Sequence, residues 1–263
     1  MAGIQLPGRF TSQPQYPALV SGIGIGAGIV FAQTGVPILP FANNAVVGVA
    51  PSAKGMARTF ASASAQYLSA STKAFTGFPF TFAALAMFDT LTGTQSLMSI
   101  GASTNDRHLL YKLSNNTIGM FSGPASGSIG QAATPGFVAA NTWYVLIGRV
   151  HGAASRDVTI NGLSRGTETT SVVPAAVSTV AIGAYWTAGA PTAGFYLNGK
   201  IALGVVWNRA ITDAEVTSFV GNPWQIFQAP DRPSMFSHTA AAPSGYKPYW
   251  SSQRPRVYGA GVR

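Results

Sequence analysis

The segment GKIALGVVWNRAITDAEVTSFVGNPWQIF, residues 199–227, leaves few folds open, because a strand in it runs straight into one short helix. Ile201, Leu203, Val205 and Trp207 alternate with Ala202, Gly204, Val206 and Asn208, and a period of two marks a strand with one face on a core. The second face is uncharged too. Such a strand either lies in the middle of a two-layer stack or carries a neighbour on its outer face. Thr212 precedes Glu215 by three residues, the spacing of a capping box in which the hydroxyl accepts from the Glu215 amide and the carboxylate reaches back to the Thr212 amide. Ile211 and Val216 are placed as the accompanying hydrophobic staple. Gly221 is expected as a left-handed C-cap, and Pro223 cannot continue the helix. That leaves about two turns near 213–220, with Val216, Phe219 and Val220 as the apolar stripe.

Elsewhere the punctuation excludes helices. Thirty Gly and 17 Pro separate short runs of Val, Ile and Phe, the pattern of an all-β protein. A hydrophobic share of 47% supplies a core, while only 9% charged residues falls far below the usual quarter. A surface so poor in charge points to cover by partners in an assembly. The absence of cysteine excludes disulfides and thiolate metal or redox sites. The net charge of +9 favours acidic partners, but the basic residues are spread thinly and form no nucleic-acid patch, so no nucleic acid is expected as a partner. The start MAGIQLPGRFTSQPQYPALV lacks the basic and apolar regions of a secretory signal. Residues 18–32 form the most apolar run, yet they fall short of the ~20 needed to span a bilayer, and Pro37 and Pro40 interrupt their continuation. No membrane association is expected.

Three parts follow from these patterns. Residues 1–21, with prolines at 7, 14 and 17, read as an extended N-terminal arm. Residues 22–228 read as one domain. It opens on GIGIGAG, which does not fit G-x-G-x-x-G because Ala27 and Ile29 stand where the spacing fails; close backbone approach explains the glycines better than a nucleotide cradle. Strand candidates are MARTFASASAQYLSAS, FPFTFAALAMF, SLMSIG, HLLYKLSNNTIGMFSG, NTWYVLIGRVHG, STVAIGAYW and GKIALGVVWN; RDVTINGLSRGT is a hairpin turning at Asn161-Gly162. In FPFTFAALAMF, Phe80, Phe82, Ala84, Ala86 and Phe88 share a face. Residues 229–263 form a Pro-rich basic C-terminal arm, with Tyr246, Tyr249, Trp250, Arg254, Arg256 and Tyr258 as candidate anchors to the domain or to a neighbouring chain.

The ordered pieces FTFAALAMF, NTWYVLIGRV, VTINGLSRGT, VAIGAYW and GKIALGVVWNRAITDAEV resemble the laminin-G-like branch of the concanavalin A-like lectin and glucanase superfamily over residues 22–228. The resemblance implies a two-sheet jelly-roll sandwich. The ending NPWQIF with its proline- and arginine-bearing tail is similar to jelly-roll proteins of tailed-phage and prophage virions. One departure concerns the final strand, where Ala202, Leu203 and Val205 stand in a stretch that in the family often bears charges; a role of such charges in ligand or calcium contact is therefore in doubt here.

Catalytic patterns are not found. Glucanases of the superfamily carry two carboxylates a few ångströms apart on one strand. Here the close acidic pair is Asp213 and Glu215, which a helix N-terminus and its dipole explain. His108, His151 and His238 lack metal-site spacing, and His108 beside Asp106 and Arg107 reads as loop polarity. No G-x-S-x-G elbow supports a nucleophilic serine. Asp89, Asn105, Asp106 and Asp157 are available as loop oxygens for calcium, but they are scattered, and a calcium site is the less favoured reading. Neither cofactor nor metal nor catalytic residue is expected. Tyr185, Trp186, Phe195 and Tyr196 flank the loop TAGAPTAG as candidate contacts to a glycan or a protein partner, the alternative being that they close one end of the core. Trp224, Ile226 and Phe227 are expected to return across the sheet and seal the helix.

Two functions compete. In the first, implied by the virion resemblance, the chain is a non-enzymatic structural protein on a phage capsid surface, a decoration or cement protein clamping the major capsid protein or other virion proteins. In the second it is a carbohydrate-binding adhesion module of a tail fibre or tail accessory. A homo-oligomer is compatible with either, although no heptad specifies one.

Overall fold

The computed structural model describes residues 42–44, 49–52, 55–70, 77–102, 104–174 and 177–224. The N-terminal arm, the GIGIGAG run, the C-terminal arm with its Tyr246, Tyr249, Trp250, Arg254, Arg256 and Tyr258, and the pair Ile226 and Phe227 lie outside the described residues. In chain order the elements are β1 (Ala42–Asn44), β2 (Val49–Ser52), β3 (Gly55–Phe60), β4 (Tyr67–Ala70), β5 (Phe80–Phe88), β6 (Gln95–Gly101), β7 (Arg107–Lys112), β8 (Ile118–Gly123), β9 (Gly130–Ala133), β10 (Trp143–Gly152), β11 (Ser155–Ile160), β12 (Ser164–Glu168), β13 (Thr179–Ile182), β14 (Trp186–Thr187), β15 (Ala190–Pro191), β16 (Gly199–Trp207) and α1 (Asp213–Gly221).

Two seven-stranded antiparallel sheets form a sandwich, and β14 pairs with β15 separately. The back sheet runs β12-β11-β10-β5-β16-β3-β2 and the front sheet β1-β4-β13-β6-β7-β8-β9. Alternation in β5 sends Phe80, Phe82, Ala84, Ala86 and Phe88 into the core between the sheets, as their spacing predicts, where they meet Met98, Ile100, Leu110, Met120, Leu146 and Ile182. Ala83 and Leu85 point the opposite way, into a second cluster under α1.

The last strand departs from simple alternation. Its register against β5 shifts between Ile201 and Leu203, a bulge that places one extra residue in the strand. Ile201 and Val206 therefore face the core between the sheets, while Leu203, Val205 and Trp207 face α1. From Ile201 to Trp207 both sides of the strand are covered, which explains why neither is charged there.

Other boundaries also move. The run through MARTFASASAQYLSAS is split by a 3-10 turn at Ser62–Ser64 that closes on Ala65 at φ 48°. STVAIGAYW stops being one strand at Gly183, φ 81°. The Asn161-Gly162 hairpin forms as expected, with φ 51° and 72° and a hydrogen bond from the Leu163 amide to the Ile160 carbonyl at 3.0 Å.

Around α1 the capping box is present: the Glu215 amide donates to Thr212 Oγ1 at 3.3 Å, and the Thr212 amide donates to Glu215 Oε2 at 2.8 Å. Ile211 and Val216 are both buried, in keeping with the staple. The C-terminus differs from the sequence expectation. Gly221 is the last helical residue, and the cap is Asn222 at φ −149°, ψ 87°. The reason is Pro223, which forces the residue before it into extended backbone. Phe219 and Val216 are buried against Trp207, whose ring meets that of Phe219 edge to face at 5.3 Å; Val220 and Trp224 pack on the same cluster.

Charge closes this side. Arg149 Nε and Nη2 each donate to Asp157 at 2.9 Å, and Nη1 donates to the Ile211 carbonyl and to Asp213 Oδ1, both at 2.8 Å. His151 Nε2 reaches Asp157 Oδ2 at 2.8 Å. Asp157 is thus a buried strand residue in β11, not a loop oxygen, because the guanidinium beside it supplies the counter-charge that burial requires.

Candidate functional site

The aromatic residues singled out in the sequence fall into two groups. The segment from Gly183 to Leu197 crosses the outer face of the front sheet. Ser96 and Ser99 hydroxyls donate to the Ala184 carbonyl at 3.0 and 2.8 Å, and the Trp186 amide donates to Ser99 Oγ at 2.9 Å. Gly101 lies beneath it, where a Cβ would run into the Trp186 carbonyl. Tyr185 packs on Leu109, Tyr111 and Phe121 of β7 and β8, and its ring meets Phe195 edge to face at 5.2 Å. The Arg107 guanidinium sits 5.2 Å from the Phe121 ring centre and 5.8 Å from that of Tyr185, a cation held over two aromatic faces. Burial, with Tyr185 adding to it, pushes the Tyr111 hydroxyl above its ordinary range. Tyr185 and Phe195 thereby pin the segment to the sheet rather than closing an end of the core.

Trp186 and Tyr196 belong together through a third ring. Tyr67, at the start of β4, lies 6.2 Å from each of them. All three are half-buried. Nothing in the spacing of the sequence singles out Tyr67; only the pairing of β4 with β13 brings it under the segment.

Tyr196 also walls a cavity of about 260 Å³ at the adjoining end of the sandwich. Its lining comes from three chain segments: Ser62 and Ala63 of the 3-10 turn, Thr90, Thr92 and Thr94 of the β5–β6 connection with Gln95 at the start of β6, and Gly194 and Asn198 before β16. The connection is fastened from two sides. Gln95 Nε2 donates to the carbonyls of Thr90 and Thr92 at 2.8 and 3.2 Å, and its Oε1 accepts from the Asn198 amide at 2.9 Å. From behind, Lys112 Nζ, fully buried, donates to the carbonyls of Leu91, Gly93 and Leu113 at 2.8, 2.6 and 3.1 Å and to Asn116 Oδ1 at 3.3 Å. Successive carbonyls of residues 90–93 thus alternate between Gln95 and Lys112. Asn198 Nδ2 donates to Thr90 Oγ1 at 3.1 Å, and Lys200 pairs with Asp89 at 2.6 Å just outside the cavity.

The acid–base candidates are engaged elsewhere. His108 is a buried strand residue rather than a loop residue. Its Nδ1 lies 2.9 Å from Ser122 Oγ, with the rings of Phe80 and Phe78 at 4.7 and 5.8 Å. Burial in this apolar setting, with Arg156 nearby, lowers its pKa to about 3, so it is neutral in the fold. The Ser122–His108 pair lies between the sheets, out of reach of a substrate. Hydrogen bonds from Arg165 and then Arg149 hold the Asp213 carboxyl down to about 2; Arg209 does the same to Glu215, also to about 2. Asp89 and Asp157 are paired to Lys200 and Arg149, and among the described residues no three His, Cys, Asp or Glu side chains converge. No helix among the described residues is long and apolar enough to cross a membrane.

The sandwich, with its capped helix behind one sheet, is the fold of a lectin-like jelly roll, and the family model confirms the class. The chain belongs to the concanavalin A-like lectin/glucanases superfamily, whose laminin G model matches residues 62–217, more than half of it. No curated protein matches. Among solved structures, the NanB sialidase of Streptococcus pneumoniae aligns at 18% identity and TM-score 0.53, over 62% of this chain and 27% of that one. Domain 4 of an extracellular arabinanase from Geobacillus stearothermophilus, in complex with arabinotriose, aligns at 18% identity and TM-score 0.53, over 66% and 80%. Trypanosoma rangeli sialidase aligns at 18% identity and TM-score 0.52, over 76% and 31%. The chain spans about a quarter of the length of the first sialidase structures it matches. These likenesses establish the fold.

Proposed function

We propose that the domain is a non-catalytic glycan-binding module that receives a sugar in the cavity beside Tyr196. One observation carries this reading: an open cavity lined by hydroxyl and amide side chains, with the ring of Tyr196 in its wall and that of Tyr67 6.2 Å from it. Hydroxyls and amides match the alternating donors and acceptors of a sugar, and an aromatic face covers its apolar C–H side. The superfamily, and the arabinanase domain that holds arabinotriose on the same fold, support the assignment. The test is glycan-array screening of the full chain followed by calorimetry on any hit. Tyr196→Ala is expected to weaken binding about tenfold or more with an unchanged circular dichroism spectrum. Retention of full affinity by that variant would remove the cavity from the proposal.

A second reading has its own support in the sequence. Residues 229–263 hold five basic residues against the single Asp231, with Tyr246, Tyr249, Trp250 and Tyr258 among them. Such a segment suits an arm that ties the domain to neighbouring subunits on a tailed-phage capsid surface, the chain then serving as a decoration or cement protein. Cross-linking mass spectrometry of intact particles at Lys247 and Lys200 tests it. Links to the major capsid protein are the expected result. Links only to tail proteins would favour an adhesion role instead.

A further inference from the structure

We infer that the cavity beside Tyr196 accepts an uncharged, hydroxyl-rich ring and accepts it without a bridging metal ion. The inference rests on the glycan-binding reading and adds to it the class of sugar.

Charge is kept out of the lining. Ser62, Thr90, Thr92, Thr94 and Asn198 present hydroxyls and an amide, and Tyr196 a phenol; among the described residues no carboxylate, ammonium or guanidinium lines the cavity. The charged neighbours Asp89 and Lys200 are bound to each other at 2.6 Å. An acidic sugar entering here would shed water from its carboxylate and meet no counter-charge in exchange. A neutral ring would exchange its water for hydroxyl and amide partners without that penalty.

The metal argument rests on what Lys112 occupies. Four oxygens from the β5–β6 and β7–β8 connections converge at 2.6–3.3 Å, as oxygens gather around a hard cation. The cation there is the ammonium of Lys112 itself, fully buried and supplied by the chain. Carbonyls 91 and 93 are taken by that ammonium, and carbonyls 90 and 92 by Gln95. The loop therefore reaches its shape by internal bonds: each backbone carbonyl of residues 90–93 already accepts one from Gln95 or Lys112, so no ion is needed to gather them.

The experiment is calorimetric titration of the full chain with arabinotriose, xylotriose, maltotriose and lactose as neutral probes and with sialyllactose and trigalacturonic acid as acidic ones. Each is run at low and high salt, with and without EDTA. Binding of a neutral probe is expected, with affinity changing less than about twofold with salt or chelator, and with a loss of about tenfold in Thr92→Val or Tyr196→Ala. Binding confined to the acidic probes, or abolished by EDTA, would overturn the inference while leaving glycan binding standing. Binding that survives both substitutions would place the sugar elsewhere and overturn it as well. No binding to any probe, together with a blank glycan array, would end the glycan-binding reading itself.

Discussion

The back of the sandwich and the cavity end use polar chemistry in opposite ways. Behind the back sheet, the ionised groups Arg149, Asp157, Asp213, Arg165, Arg209 and Glu215 bond to one another and to the start of α1, closing a layer over Leu203, Val205 and Trp207. At the cavity end, the described lining consists of neutral groups, the Lys112 ammonium is turned inward onto backbone carbonyls and that of Lys200 is paired with Asp89. A chain with only 9% charged residues thus spends much of its folded charge on fastening elements and presents a neutral surface where a ligand would enter. The difference teaches that the few charges are not spread evenly: they are divided between fastening the back and shaping the loop at the cavity end.

The contrast breaks most severely at Arg149. Its side chain is 4% exposed and its partner Asp157 9%. Arg149→Met would leave the Asp157 carboxylate buried with only His151 to answer it, and the Ile211 carbonyl would lose a donor. Losing one partner of a buried pair costs about 3–5 kcal/mol. Urea unfolding is expected to show a loss of that size, with glycan affinity at the opposite end unchanged in the protein that remains folded. An effect below about 1 kcal/mol would mean that the pair behaves as a surface one.

Lys112→Met removes the corresponding fastening at the cavity end. The thioether fills similar volume but donates nothing, so the carbonyls of Leu91, Gly93 and Leu113 lose their shared donor. Water can enter from the loop side and compensate in part, which puts the expected cost at about 1–3 kcal/mol. Hydrogen exchange should locate the change: faster exchange is expected in residues 89–95 and none around α1. Acceleration spread evenly over both regions would show that the two ends are not separately fastened.

How much of this was legible beforehand differs between the same two regions. The back was readable because its signals are local: the alternation in β5, the strand before α1 and the Thr212–Glu215 box each lie within a few consecutive residues. Even there the bulge in β16 escaped, since a strand apolar on both faces carries no polarity signal when its register shifts by one. The cavity was not readable. Ser62, Thr90 and Asn198 come from three distant connections, and serine, threonine and asparagine between strands look like ordinary turn residues. Lys112 gave no warning either, because a lysine ending a strand normally faces water and only the folded loops reveal its cage. Tyr185, Trp186, Phe195 and Tyr196 stood out as aromatics around a loop, but the sequence did not separate the pair that pins the segment, Tyr185 and Phe195, from Tyr196, which alone of the four walls the cavity.

The smallest expected effect sharpens the comparison by titration, since the back is held by carboxylates and none is among the described residues that line the cavity. Thr212→Ala removes the hydroxyl that caps α1 and should cost about 1 kcal/mol at neutral pH. The reciprocal half of the box belongs to Glu215. Its carboxyl falls from 4.5 to about 2 in the fold, chiefly through the hydrogen bond from Arg209. Because the folded value lies below the unfolded one, this contribution is fully present above 4.5 and is lost as pH falls toward about 2. Glu215→Gln should therefore lie below the parent in stability at neutral pH and converge on it in acid, whereas Thr212→Ala, which removes no titrating group, should keep part of its deficit across the same range. Parallel urea titrations of the three proteins measure this directly. If the Glu215→Gln curve stays parallel to the parent's, the carboxylate is not what Arg209 and the helix N-terminus hold, and the assignment of charge to the back of the sandwich loses its titrating member.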